Sequence, residues 1–241
     1  MWTHPGRVSV CCAVLLLAIV VLASCGTRMI DESSPAQHVL NSVYNSVVNV
    51  TVNVTGTLTG QAIGSGVVYT EDGYILTNAH VVTLEGLVTS GQKIDVTFSS
   101  GETVSGKLVG MNETRDVAAI KVEKAGLTPV RFATPGDVAL GEWATVIGSP
   151  LDFRNTVSLG IISGLDRSLS RGSGKSPLTG LIQVDAAISQ GSSGGGCFDQ
   201  SGDFVGMPEG YFSPMATGAE NIAFAIPAEV VASVAKTLIG R

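Results

Sequence analysis

Gln183-Val184-Asp185-Ala186-Ala187-Ile188-Ser189-Gln190-Gly191-Ser192-Ser193-Gly194-Gly195 is the stretch on which the reading of this chain turns. A serine is pressed among glycines, with Asp-Ala-Ala just upstream. Glycine lets the backbone take tight geometry without a Cβ penalty. Neighbouring N–H groups can then be turned toward one point, where they would hold the oxyanion of a tetrahedral intermediate. This presents Ser193 as a nucleophile, and the rest of the chain must supply a base and an acid.

The chain has three histidines: His4, His38 and His80. His4 lies in a segment expected to be removed, and His38 in a helix-like stretch near the mature N-terminus. His80 sits in the body of the domain, in Leu76-Thr77-Asn78-Ala79-His80-Val81-Val82. A lone histidine between apolar residues is ordinarily structural, so its partners decide. Asp116, in Arg115-Asp116-Val117-Ala118-Ala119-Ile120-Lys121-Val122, opens a short apolar strand. Taken alone it reads as a turn residue. Taken with Ser193, His80 would remove the hydroxyl proton, and Asp116 would fix the tautomer and stabilise the imidazolium. Gly191-x-Ser193-x-Gly195 also fits a nucleophile elbow, but that arrangement needs its histidine after the serine. No histidine follows Ser193.

Thr77-Asn78-Ala79-His80-Val81-Val82, Asp116-Val117-Ala118-Ala119-Ile120-Lys121 and Asp185-Ala186-Ala187-Ile188 with Gly191-Ser192-Ser193-Gly194-Gly195 together resemble the HtrA/Deg family of trypsin-like serine proteases. Further echoes are Gly64-Ser65-Gly66-Val67-Val68, Val157-Ser158-Leu159-Gly160-Ile161-Ile162-Ser163 and Asn221-Ile222-Ala223-Phe224-Ala225-Ile226-Pro227. The similarity runs over roughly residues 37–239. It implies an all-β fold of two six-stranded antiparallel β-barrels, chymotrypsin-like, with a short N-terminal helix and a C-terminal helix. It places His80 and Asp116 on the first barrel and Ser193 on the second, in the order His, Asp, Ser. The oxyanion hole falls to the N–H groups of Gly191 and Ser193. The implied activity is serine endopeptidase cleavage of unfolded or exposed polypeptide through an acyl-enzyme, in protein quality control. Self-assembly as a homo-oligomer, a trimer, is common in the family, although no feature of this sequence carries it.

The chain departs from the family pattern around the nucleophile, Asn-Pro-Gly-Asn-Ser-Gly-Gly-Pro-Leu. Here it reads Ser189-Gln190-Gly191-Ser192-Ser193-Gly194-Gly195-Gly196-Cys197. Ser192 replaces an asparagine and Gly196 a proline. Neither change removes a triad atom. Both are expected to loosen the loop, since Gly196 adds unfolded-state freedom. Ala187, not an aspartate, stands six residues before Ser193, which predicts small or medium aliphatic P1 residues. The chain ends at Arg241, after its last helix, so no PDZ domain is expected. Thr55 to Gln61 is short where relatives often carry a long regulatory loop.

Composition agrees with this fold. Thirty glycines, 14% charged residues and many short Val/Thr/Ile runs suit an all-β domain with frequent turns. A formal charge of −6 with no basic patch leaves no case for nucleic acid. No His/Cys/carboxylate cluster has zinc spacing, so neither a metal nor another cofactor is expected.

The N-terminus reads as a targeting segment. Arg7 precedes an apolar run from Val8 to Ala23, broken only by Ser9. That run is short for a membrane span and fits a signal h-region. It ends in Leu22-Ala23-Ser24-Cys25, which resembles a bacterial lipobox. Cleavage there would leave Cys25 carrying lipid and anchor the protein to the membrane on the extracytoplasmic side. Residues 1–24 are thus read as a lipoprotein signal peptide and residues 25–36 as the lipidated cysteine and tether. Residues 37–241 are read as the protease domain, with barrels over about 37–134 and 135–241. Cys11 and Cys12 fall in the signal, which leaves Cys197 alone, buried and without a disulfide.

Ser34-Pro35-Ala36-Gln37 reads as a helix start, with Ser34 as N-cap and Gln37 in a capping box. Strands are predicted at 47–54, 62–69, 74–77, 93–98, 103–109 and 117–122. A second set is predicted at 143–147, 155–163, 181–184, 203–207 and 222–225. A final helix starts at Pro227. Leu165 to Gly180 reads as a mobile surface loop and Pro208 to Glu220 as a loop bordering the P1 pocket. Two other functions share these features: a chaperone-like binding protein with weak or no catalysis, and a hydrolase of small esters or amides. The complete triad favours the endopeptidase.

Overall fold

The computed structural model describes residues 34–54, 60–84, 92–148, 156–171, 175–211 and 221–240. The signal-peptide and Cys25 readings lie outside them.

Two closed antiparallel barrels make up the body. The first runs in the order β1-β2-β3-β6-β5-β4. Its strands are β1 (Val47–Val54), β2 (Gly60–Val68), β3 (Tyr74–Thr77), β4 (Lys93–Thr97), β5 (Thr103–Asn112) and β6 (Val117–Val122). The second runs in the order β10-β11-β12-β9-β8-β7. It is built from β7 (Trp143–Gly148), β8 (Thr156–Leu169), β9 (Leu178–Val184), β10 (Gly196–Phe198), β11 (Phe204–Tyr211) and β12 (Ala223–Pro227).

The period-2 pattern explains β1. Val48, Val50 and Val52 point into the first barrel with Ile75, Ile94, Val96 and Ile120, while Asn49 and Thr51 alternate with them. β1 pairs with β2 on one side and β4 on the other, which closes the barrel. β4 and β5 meet through the turn at Ser99-Ser100-Gly101, where Gly101 takes φ +88°.

Several predicted boundaries move. β8 continues to Leu169 and β9 begins at Leu178, so both ends of the predicted loop at Leu165 to Gly180 belong to a long hairpin. Its polar composition has a physical cause: Leu165 to Ser168 are exposed, because the hairpin extends beyond the barrel wall. β11 runs to Tyr211 and takes in the start of the predicted Pro208 to Glu220 loop. The rest of that loop lies outside the described residues. β10 was not predicted at all; it is only three residues long and grows out of the glycine run.

Two helices cover the barrels. α1 (Pro35–Val43) is capped by Ser34, whose Oγ accepts the Gln37 N–H at 3.2 Å. It packs on β7 and β8 of the second barrel, although it precedes the first in sequence. α3 (Ala228–Ile239) ends at Gly240 in the left-handed conformation. It packs on β5 and β6 of the first barrel as well as on β11 and β12. The short α2 (Ala79–Val82) lies between β3 and β4.

The seam between barrels is aromatic. Tyr69 of the first barrel meets Phe132 of the linker with ring centroids 5.7 Å apart. Phe132 meets Phe204 at 5.0 Å, and Phe204 meets Phe198 at 6.0 Å. Edge and tilted contacts of this kind add about 0.5–1.5 kcal/mol per pair beyond their area burial. The linker is also bonded to β11: the Phe204 N–H donates to Arg131 O and the Ala133 N–H to Phe204 O.

Candidate active site

Asp116 sits one residue before β6, buried, with φ +55°. Aspartate tolerates the left-handed region better than most residues, but the conformation is still uncommon and costs energy. It aims the carboxylate at α2. Both oxygens engage His80: Oδ1 accepts its main-chain N–H at 2.9 Å and Oδ2 lies 2.7 Å from Nδ1. An ionised carboxylate only accepts, so Nδ1 carries the proton and Nε2 keeps its lone pair. Asn78 Nδ2 donates to the Asp116 carbonyl at 3.0 Å and braces the strained residue.

Ser193 lies between β9 and β10, and its neighbours are packed with little tolerance. A Cβ on Gly194 would come within 2.3 Å of Ser65 O and Thr77 Oγ1, and one on Gly195 within 2.4 Å of Ile147 O. Gly191 and Gly194 take φ +97° and +83°. The first barrel holds this loop directly. The Ser65 N–H donates to Ser193 O at 2.9 Å, and Ser65 Oγ donates to Gly191 O at 2.7 Å. The Ser192 N–H closes a turn onto Ser189 O at 2.9 Å. No described residue accepts from the N–H groups of Gly191 or Ser193, the pair predicted for the oxyanion hole.

The Ser193 hydroxyl donates to Glu209 O at 3.3 Å. That is long for O–H···O, so the bond exchanges readily for a better acceptor. His80, Gly191 and Ser193 line one cavity of about 480 Å³. The structure thus brings His80, Asp116, Ser193 and Gly191 to one place at the join of the barrels.

Gly196 stands in a strand, next to the nucleophile loop. It begins β10, pairs with Ile147 and is buried. The Phe198 ring occupies its side-chain space, 2.2 Å from where a Cβ would stand. A large ring two residues on, rather than a need for freedom, accounts for the glycine. Ser192 is likewise buried.

Three contributors had no individual role assigned from the sequence. One is Ser65. Another is Arg171, beyond β8, which donates to Glu113 O at 2.7 Å and Thr114 O at 3.2 Å, in the turn that leads into Asp116. The third is Glu209 on β11. Donor atoms of His80, Asp116 and Glu209 lie within 4.8 Å of one another. The same three groups could hold a cation, which would compete with the His80–Asp116 bond. Ser65 stands in the quoted Gly64-Ser65-Gly66 motif, but its hold on Gly191, like that of Arg171 on Glu113, joins stretches far apart in sequence.

Ala187 is exposed, and its carbonyl accepts from Ser158 Oγ at 2.7 Å. The opposite wall of the predicted P1 pocket falls outside the described residues. Among the described residues, no helix is long and apolar enough to cross a membrane.

The chain is 41% identical to a DegP-like periplasmic serine endoprotease of Rhizobium meliloti over 179 residues, 74% of this chain and 33% of that protein. It is 37% identical over 182 residues to a protein of the same description from Brucella suis, 75% of this chain and 33% of that one. The chain therefore spans about a third of the length of these curated relatives. Among solved structures it resembles an HtrA-type protease with a tripeptide, at TM-score 0.73 and 28% identity, covering 86% of this chain and 64% of that one. It also resembles the serine endoprotease from Yersinia pestis, at TM-score 0.70 and 28% identity, covering 87% and 68%. Residues 64–207 match the trypsin-like peptidase domain, and the chain belongs to that family.

Proposed function

We propose that this chain is an HtrA-type serine endopeptidase that cleaves unfolded or exposed polypeptide. The observation that carries the reading is the double grip of Asp116 on His80, backbone and ring, beside a cavity that Ser193 shares. Nε2 takes the Ser193 proton as Oγ attacks the scissile carbonyl. Asp116 stabilises the imidazolium that forms. The N–H groups of Gly191 and Ser193 receive the oxyanion, and His80 then protonates the leaving amine. Water repeats the sequence on the acyl-enzyme.

The periplasmic description of relatives supports work outside the cytoplasm. The Leu22-Ala23-Ser24-Cys25 motif supports a lipid anchor on Cys25, with residues 1–24 removed as the signal peptide and 25–36 as tether. Protein quality control and trimeric assembly are carried over from the resemblance. Incubation of Gly26 to Arg241 with unfolded casein, beside Ser193→Ala, tests the reading. Cleavage by the parent and not the variant is expected; equal behaviour of the two overturns it.

A further inference from the structure

We infer that the fold gathers His80, Asp116 and Glu209 into a site for a divalent transition-metal ion of the Zn²⁺ type, and that the bound ion switches the protease off by trapping the wrong tautomer of His80. The effect on activity rests on the endopeptidase reading above; the binding of the ion does not.

Three separate segments build the site. His80 comes from α2 and Asp116 from the residue before β6. Glu209 comes from β11, where Pro208 pairs with Ala225 and Gly210 with Phe224. Two steps along β11 thus face one along β12. Glu209 is the extra residue of a β-bulge, a feature that re-aims a side chain. One nitrogen of His80 and one oxygen from each of the two carboxyl groups all lie within 4.8 Å of one another. Spacing along the chain could not show this, since His80 and Asp116 are 36 residues apart and Glu209 is farther still.

The donor set selects the metal. One imidazole and two carboxylates match the mixed nitrogen and oxygen ligands of zinc sites that keep a fourth position for water. Ca²⁺ and Mg²⁺ take oxygen ligands and gain little from an imidazole. Zinc ligands stand about 2.0–2.2 Å from the ion, so two of them in a tetrahedron are about 3.3 Å apart. Nδ1 and Asp116 Oδ2, now 2.7 Å apart across a proton, would part by about half an ångström while Glu209 closes in.

The ion would take the place of the Nδ1 proton. A neutral imidazole carries one proton on its two nitrogens. With the metal on Nδ1, that proton passes through solvent to Nε2, and the ring gains and loses none. Both carboxyl groups bind as carboxylates and release any proton they hold. Nε2–H is a donor and cannot accept the Ser193 proton. The general base is therefore lost while the nucleophile and its cavity stay in place. The loss should fall on kcat, with KM unchanged.

The test titrates Zn²⁺ against peptide hydrolysis by the parent, and against Ser193→Ala in a calorimeter. Expected are one ion per chain, a fall in kcat at constant KM, and recovery on adding a chelator. Nitrogen NMR of the imidazole should show the proton on Nδ1 without zinc and on Nε2 with it. Glu209→Gln removes one ligand. Its affinity for zinc, and the inhibition measured against its own zinc-free rate, should weaken by about tenfold or more, since even groups that only orient a ligand are worth about 10–100-fold. Absence of binding to Ser193→Ala overturns the site. Equal affinity of the parent and Glu209→Gln also overturns it, because the ion then rests elsewhere. Binding without loss of kcat overturns the switch. A parent that cleaves no peptide with zinc removed overturns the endopeptidase reading, and the calorimetric titration still decides the site. If Glu209→Gln does not fold, Asp116→Asn takes its place, and unchanged affinity in that variant overturns the site.

Discussion

Ser65 Oγ donates to the carbonyl of Gly191 at 2.7 Å, so a side chain of the first barrel fixes the backbone of the nucleophile loop on the second. With the Ser65 N–H on Ser193 O, one residue sutures both ends of the stretch whose amides are proposed to receive the oxyanion. Ser65→Ala leaves a buried carbonyl without its donor, at about 1–3 kcal/mol. In kinetics the loss should fall on kcat rather than KM, because the loop matters most when charge develops on the oxyanion. Denaturant titration and peptide hydrolysis would check both; a pure KM effect would contradict the assignment.

Asp116→Asn should keep the fold and lose the activity. Asparagine also tolerates the left-handed backbone at φ +55°, so the melting temperature should move little. Activity should fall by about 10⁴-fold, because an amide no longer fixes the Nδ1–H tautomer or balances the imidazolium. Asp116→Ala should lose activity and stability together, since alanine is strained at that φ.

Arg171→Ala should act at a distance. Its guanidinium holds Glu113 O and Thr114 O in the turn just before Asp116. These are exposed bonds, so stability should change by no more than about 1 kcal/mol. A several-fold drop in kcat at unchanged melting temperature would show that the β8–β9 hairpin steadies the acid.

Gly196→Ala should destabilise by about 1–3 kcal/mol through overpacking against Phe198. Combined with Phe198→Leu, which vacates the space, the cost should be less than the sum of the two single changes. Additive costs in chemical denaturation would mean the ring is not what the glycine accommodates.

Cys197 is fully buried, and burial first, then Asp199, pushes its thiol from 9.0 up to about 12. A thiol-alkylating reagent should therefore react only on unfolding at pH 8. The unfolded chain ionises this thiol above about pH 9 while the native one does not. Its contribution to stability is complete below pH 9 and is lost as pH rises toward 12. Denaturant titrations of the parent and Cys197→Ala across that range should show the parent alone carrying this extra decline.

The barrels and the His80, Asp116 and Ser193 positions could be read from sequence because each lies in a compact local pattern. β1 falls at Val47–Val54 as predicted, because its valines alternate almost strictly. The β8–β9 hairpin could not be read this way: Leu165 to Ser168 are exposed in succession, so no period-2 signal survives along that arm. β10 hides in three buried residues after a glycine run. Ser65 and Arg171 reach their partners only because the two barrels meet, which no local pattern encodes.

The terminal helices are crossed relative to the barrels. α1 leads into the first barrel yet rests on the second, while α3 follows the second and lies partly over the first. Dividing the chain at the linker, near Pro135, would not yield two self-sufficient halves. One fragment would retain a helix with nothing to cover and expose β5 and β6. The other would lose its lid over β7 and β8. A gene cut at the seam would thus encode two sticky pieces rather than two domains, and the two barrels are obliged to fold as one.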